Sequence, residues 1–148
     1  MALEQATFGA GCFWEAESRF RAVPGVIDAR VGHSTGTDGT TAAARIEVVQ
    51  VDYDPAQVSF ADLVDIFWTS HNPRSRDRQG NDSGEGVRSA IFAHGPGQAA
   101  TAEAARARLD ATGQGPIVTQ IIAYQGIEIA DEHHQRYLEK NGLATCSI

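Results

Sequence analysis

The chain has 148 residues, 42% hydrophobic and 21% charged, long enough to bury a core without disulfide staples and too apolar for a disordered chain. Its formal charge of −7 argues against a nucleic-acid surface, and no apolar run approaches the roughly 20 residues that span a bilayer. The two cysteines, Cys12 and Cys146, make neither a CxxC pair nor a secreted scaffold, and Met1–Gln5 is too short and polar for a signal peptide. A single domain over 1–148 is expected, monomeric and in a reducing, cytoplasmic setting, away from membranes.

In chain order, Gln5–Gly9 reads as a strand and Trp14–Ala22 as an amphipathic helix. Pro24-Gly25 is a turn, and Val26–Val31 alternates as a strand does. A Gly/Thr loop over Ser34–Ala42 leads to a clearer strand, Arg45–Tyr53, stopped by Asp54-Pro55. Ser59 and Asp62 open a helix in the manner of a capping box, with Phe60, Leu63, Val64 and Phe67 on one side as far as Ser70. His71–Gly86 lacks any period and is rich in Arg, Asp, Asn and Gly. Then come a strand at Arg88–Ala93, an Ala-rich helix over Gln98–Ala111 closed by Gly113, a strand at Ile117–Ala123, and a helix at Asp131–Lys140. After Gly142 a flexible tail, counted from residue 141 to 148, carries Cys146. The order β-α-β-β-α-β followed by α-β-α predicts an α+β sandwich: a split-βαβ (ferredoxin-like) core with a mainly antiparallel sheet and C-terminal helical and coil additions.

Chemistry concentrates at a few positions. Cys12 stands in Gly11-Cys12-Phe13-Trp14, where a strand gives way to a helix. Unpaired amides and the positive end of the macrodipole favour a thiolate there, while Glu15 and Glu17 oppose it. Taken alone, the motif also fits a buried cysteine behind an aromatic core pair. Glu47 shares a strand face with Val49, Val51 and Tyr53. Desolvation on that face would keep it protonated near neutrality, as a general acid requires; the alternative is a solvated strand-end glutamate. The run Arg78-Gln79-Gly80-Asn81-Asp82-Ser83-Gly84 suits ordinary turns, or a buried Asp82 ordering donors beside a thiol. Five histidines (33, 71, 94, 133, 134) fall in no metal-ligand spacing, so no metal is expected. His71, at a helix end, reads as a favourable C-terminal charge.

Together these segments resemble the A-type peptide methionine sulfoxide reductases nearly end to end, as a divergent member. The match takes in Gly11-Cys12-Phe13-Trp14 with Ala16-Glu17, Pro24-Gly25-Val26, Glu47-Val48-Val49 and Tyr53-Asp54-Pro55. It continues through Phe67-Trp68, His71, Pro73, Arg78-Gln79-Gly80-Asn81-Asp82, Gly84 and Arg88-Ser89-Ala90-Ile91. It ends with Ala130, His134-Gln135, Tyr137-Leu138 and a C-terminal cysteine.

The resemblance implies that Cys12 attacks the sulfur of methionine S-sulfoxide, protein-bound or free, while Glu47 protonates the departing oxygen. Phe13 and Trp14 would box the substrate methyl group, and Asp82 would order the polar side. The sulfenic acid left on Cys12 would condense with Cys146, and thioredoxin or another dithiol would reset the enzyme, with no bound cofactor. The chain departs from the family at His33 and Val87, where tyrosines are usual, and at Arg45-Ile46, where a His-Ala pair is usual; the Gly36–Ala44 connection is also short. His33 is then the expected substitute donor to the substrate oxygen. Other readings are a reductase specialised for another small sulfoxide, a Cys–His hydrolase or acyltransferase using Cys12 with His33, His71 or His134, and a non-catalytic binding domain with a pocket at Phe13 and Trp14.

Overall fold

A computed structural model of the chain describes residues 3–10, 13–34, 46–71, 78–79, 82–83, 89–113, 117–124 and 126–129, with the backbone alone for 13–15, 78–79, 82–83 and 128–129. The elements run β1 (Glu4–Ala10), α1 (Phe13–Arg21), β2 (Val26–Ser34), β3 (Ile46–Tyr53), α2 (Phe60–Ser70), β4 (Arg78–Gln79), β5 (Asp82–Ser83), β6 (Ser89–Ala93), α3 (Pro96–Asp110), β7 (Gln120–Ala123) and β8 (Glu128–Ile129). Six strands form one sheet in the order β7-β6-β1-β3-β2-β8, and β4 pairs with β5 apart from it. Every pair in the large sheet is antiparallel except β6–β7. The result is the mixed α+β architecture expected, with a mainly antiparallel sheet.

Side chains alternate across the pleat, so cross-strand partners share a face. On one face Phe8 meets Val49 and Ile91, Ala6 meets Val51, and Ala29 and Val31 continue these rows on β2. This face is capped by Ala16 and Phe20 of α1, Leu63, Val64 and Phe67 of α2, and Ala102 and Ala105 of α3. Phe8 is at its centre, stacked on Phe20 at 5.0 Å and on Phe67 at 5.2 Å between ring centroids. The helix α2 starts as expected: the Asp62 amide donates to Ser59 Oγ (3.0 Å) and the Ser59 amide to Asp62 Oδ2 (3.1 Å). The turn before β2 needs Gly25, whose φ is +99° and whose missing Cβ would lie 2.7 Å from Val58 Cγ1.

The opposite face buries Ile46, Val48, Ala90, Phe92 and Ile122. It also carries a polar lattice: Gln50 Nε2 donates to Thr7 Oγ1 (3.2 Å) and to the Tyr124 hydroxyl (2.9 Å), and Arg30 Nη1 donates to Gln50 Oε1 (2.7 Å). Thr7 and Gln50 are buried, and each is satisfied within the lattice, as buried polar groups must be.

Several expectations are corrected. Within His71–Gly86, which has no sequence period, Arg78 and Gln79 nevertheless pair with Ser83 and Asp82 as a short hairpin. The Ala-rich helix starts earlier, at Pro96, whose ring suits a first helical turn, and the strand placed at Ile117–Ala123 begins only at Gln120. A further edge strand, β8, pairs with β2 where no strand was expected; two residues are too few to carry a period. The expected helix at Asp131–Lys140 and the tail from residue 141 to 148 lie outside the described residues, as do residues 35–42 of the Gly/Thr loop and Arg45 at the start of the strand expected at Arg45–Tyr53.

Candidate active site

At one end of the helix-covered face the rows of apolar side chains give way to polar ones. Strand β1 ends at Ala10, paired with Ser89 of β6, and the chain passes through Gly11 and Cys12 before α1 opens at Phe13. On β3 the register Phe8↔Val49, continued by two residues, sets Glu47 at the level of Ala10. His33 of β2 is the cross-strand partner of Glu47 and, on its other side, of Glu128 in β8. Ser89 pairs with Ala10 and Glu47 with His33, and all four share one face, although the β1–β3 ladder itself ends at Phe8↔Val49. Directly opposed residues in such a pair hold their Cβ atoms about 4.5–5.5 Å apart, so the side chains of His33 and Glu47 are neighbours.

The sheet explains why Glu47 is placed so. Val49, Val51 and Tyr53 on its face are buried, as expected, and Glu47 itself is only half-buried at the edge of that apolar surface. The alternation is less clean than expected, since Ile46, Val48 and Gln50 on the other face are buried too.

The acidic turn after Cys12 is partly compensated. Glu17 is buried, and Arg21 Nε stands 3.6 Å from its carboxylate, one helical turn away. Arg21 also reaches Asp28 at 3.2 Å and the Ala29 carbonyl, which ties α1 to β2. Glu17 thus opposes a thiolate less than an uncompensated carboxylate would.

His71 is the clearest departure from expectation. It is not a solvated charge at the end of α2. Burial pushes its pKa down to about 4, so the ring is neutral at pH 7. Nδ1 lies 2.8 Å from the Phe67 carbonyl and Nε2 lies 2.6 Å from Ser89 Oγ, which in turn lies 2.6 Å from Thr119 Oγ1. The ring centroid is 4.3 Å from that of Phe67. Nothing in the sequence period marks this chain; the one signal is a serine, Ser89, two residues before Ile91 on the same inward face.

Of the other residues singled out, Cys12, Val87 and Cys146 lie outside the described residues, and Phe13, Trp14 and Asp82 are described by backbone only, in the first turn of α1 and in β5. Among the described residues no group of three His, Cys, Asp or Glu side chains could hold a metal ion, and no helix is long and apolar enough to cross a membrane.

The described geometry outlines a polar patch at one end of an α+β sheet, and comparison with known proteins gives the chain a family. The family model "Peptide methionine sulfoxide reductase" matches residues 4–148. The peptide methionine sulfoxide reductase MsrA of Methanoculleus marisnigri is 46% identical over 156 residues, covering 97% of this chain and 94% of the relative. The solved structure of methionine sulfoxide reductase A of Corynebacterium diphtheriae superposes with a TM-score of 0.82 at 36% identity, over 98% of this chain and 78% of the other. Mxr1 of Saccharomyces cerevisiae in reduced form gives a TM-score of 0.85 at 27% identity, over 95% of this chain and 86% of its own. A structure of Mxr1 in complex with Trx2 aligns at 24% identity with a TM-score of 0.66, over 91% and 84% of the two chains. The chain belongs to the peptide methionine sulfoxide reductase family.

Proposed function

We propose that this chain reduces methionine S-sulfoxide, protein-bound or free, to methionine, with Cys12 as nucleophile, Glu47 as general acid and Cys146 as resolving thiol. The observation that carries the reading is the row at the end of the helix-covered face, where Glu47 is held at the level of the strand end that leads into Cys12. A partly buried carboxyl on an apolar face suits proton donation, and a cysteine at the start of a helix suits attack. His33, next to Glu47, is read as a donor to the substrate oxygen, with Phe13 and Trp14 around the methyl group and Asp82 on the polar side. The strand order β6-β1-β3-β2 supports the split-βαβ description of the core.

The chemistry balances as two thiols and one sulfoxide giving one disulfide, one thioether and one water. The Cys12 thiolate attacks the sulfoxide sulfur to form a sulfur–sulfur bond, and the oxygen, protonated by Glu47, leaves as water. A water then adds to the Cys12 sulfur, breaking that bond to release methionine and leave a sulfenic acid on Cys12. Cys146 then displaces water from that sulfenic acid to form the disulfide. The relative solved in complex with Trx2 supports a thioredoxin-like protein as the partner that restores the dithiol by exchange. A single domain acting as a monomer in a reducing, cytoplasmic setting completes the proposal.

The test is a thiol titration before and after one equivalent of methionine S-sulfoxide. Two thiols should disappear per methionine formed, with a Cys12–Cys146 disulfide found by mass spectrometry. Cys12→Ser should retain no dithiothreitol-driven reduction. Cys146→Ser should complete one turnover yet fail to recycle with thioredoxin. A free Cys146 after turnover would sink the recycling scheme, and an active Cys12→Ser would sink the assignment.

A further inference from the structure

We infer that the largely buried chain His71–Ser89–Thr119 is a positioning device for the reactive thiol, acting through the end of β1. The inference rests on the reading of Cys12 as nucleophile.

The direction of every proton in the chain is fixed. A carbonyl only accepts, so His71 Nδ1 carries the hydrogen that goes to Phe67 O, 2.8 Å away. The ring is neutral, which leaves Nε2 with a lone pair, and Ser89 must donate to it across 2.6 Å. Ser89 has then spent its only proton, so Thr119 donates to Ser89 Oγ across the next 2.6 Å. Neither hydroxyl is free to rotate. Ser89 and Thr119 are each 2% exposed, so no water competes for these bonds.

The chain joins four elements at one point. His71 caps α2, Ser89 opens β6, Thr119 immediately precedes β7, and Arg106 Nη1 of α3 donates to the Thr119 carbonyl (3.1 Å). Ser89 is also the cross-strand partner of Ala10, the last residue of β1. Cys12 follows Ala10 by two residues in the sequence. The apolar core around Phe8 and Ile91 lies on the same face of the sheet. Apolar residues would fill the same place without the risk of an unpaired buried group. A directed polar chain at this spot instead fixes one arrangement of the strand end from which the thiol departs.

The measurements are steady-state reduction of methionine sulfoxide with dithiothreitol, thermal unfolding, and the pH dependence of Cys12 alkylation read by mass spectrometry on the Cys12 peptide. Ser89→Ala should lower kcat about 10- to 100-fold with KM little changed, as loss of alignment does. Because the thiol would sit less well against the start of α1, its alkylation midpoint should rise by about 0.2–0.7 pH units. Ser89→Thr, which keeps the hydroxyl, should restore both, and Thr119→Val should act in the same direction less strongly. If Ser89→Ala does not fold, Thr119→Val carries the test. A lower melting temperature with kcat and the alkylation midpoint unchanged would overturn the inference. The alkylation arm needs no sulfoxide, so it decides this inference even if the wild-type chain proves to reduce none.

Discussion

The neutral His71 makes the fold sensitive to acid in a way that can be calculated. Its pKa is about 4 in the folded chain and 6.5 in the unfolded one, so the unfolded state takes up the proton first as pH falls. The associated stability is complete above about pH 6.5 and drains away as pH falls toward 4. At roughly 1.4 kcal/mol per pH unit, the gap is worth about 3.5 kcal/mol when titration is complete, and about 2.5 kcal/mol has gone by pH 4.5. With a urea slope of about 1.5–2 kcal/mol per molar, the midpoint drops by more than about 1 M from this residue alone. Carboxylates that also titrate in this range are common to wild type and variants, so they cancel in a comparison. His71→Phe keeps a ring against Phe67 and removes the titration. At pH 7.5 it should be less stable than wild type by about 1–3 kcal/mol, because Ser89 loses its acceptor and the Phe67 carbonyl one of its donors. The assay is urea unfolding of both proteins at half-unit steps from pH 7.5 to 4.5. The two stability curves should converge by about 2.5 kcal/mol on acidification. Parallel curves would show that His71 is not held neutral and would refute the proton directions derived for its chain.

Glu47→Gln should lower the rate of sulfoxide reduction by about 10²–10⁴ with little change in unfolding, since the amide keeps the shape and loses the proton; a loss under about threefold would move the acid elsewhere. His33→Phe should slow reduction, and the deficit should widen toward pH 6, where a charged imidazole is the better donor; a pH–rate profile that superposes on wild type would remove His33 from oxygen binding. Gly25→Ala should cost about 2–3 kcal/mol in urea unfolding, from a side chain at φ +99° and a Cβ forced against Val58; a change below about 0.5 kcal/mol would mean that the turn and Val58 yield freely.

The sequence made legible what depends on short-range pattern. Ser59 and Asp62 announce the start of α2 because a capping box is closed within one turn, and both of its hydrogen bonds are present. The face of Val49, Val51 and Tyr53 was readable because a strand has a period of two, and all three are buried, although burial of Ile46, Val48 and Gln50 on the other face blurs the alternation. What failed was either too short to have a period, as with β8 and the β4–β5 hairpin, or depended on distant partners. Helix-end chemistry alone makes His71 a favourable charge. Its true partners, Ser89 and Thr119, lie 18 and 30 positions further along successive links, and only the packing of α2 against β6 brings the first within reach.

That difference bears on how the site is built. The residues proposed to touch substrate stand in local motifs or on strand faces, because each must present one group at one place. His33 and Glu47 illustrate this: antiparallel register alone makes them neighbours, and the hydrophobic face of β3 fixes that register, since a slip by one residue would carry Val49 and Val51 out of the core. The groups that hold the strand end are assembled from α2, β6 and the start of β7, and none of them lies near the others in sequence. Apolar packing sets the level of Glu47 to within a strand register, which is a discrete choice. The remaining placement of the thiol relative to that carboxyl is continuous. Bonds of fixed length and direction are suited to it, and the 2.6 Å links through Ser89 lie directly across from the last residue of β1.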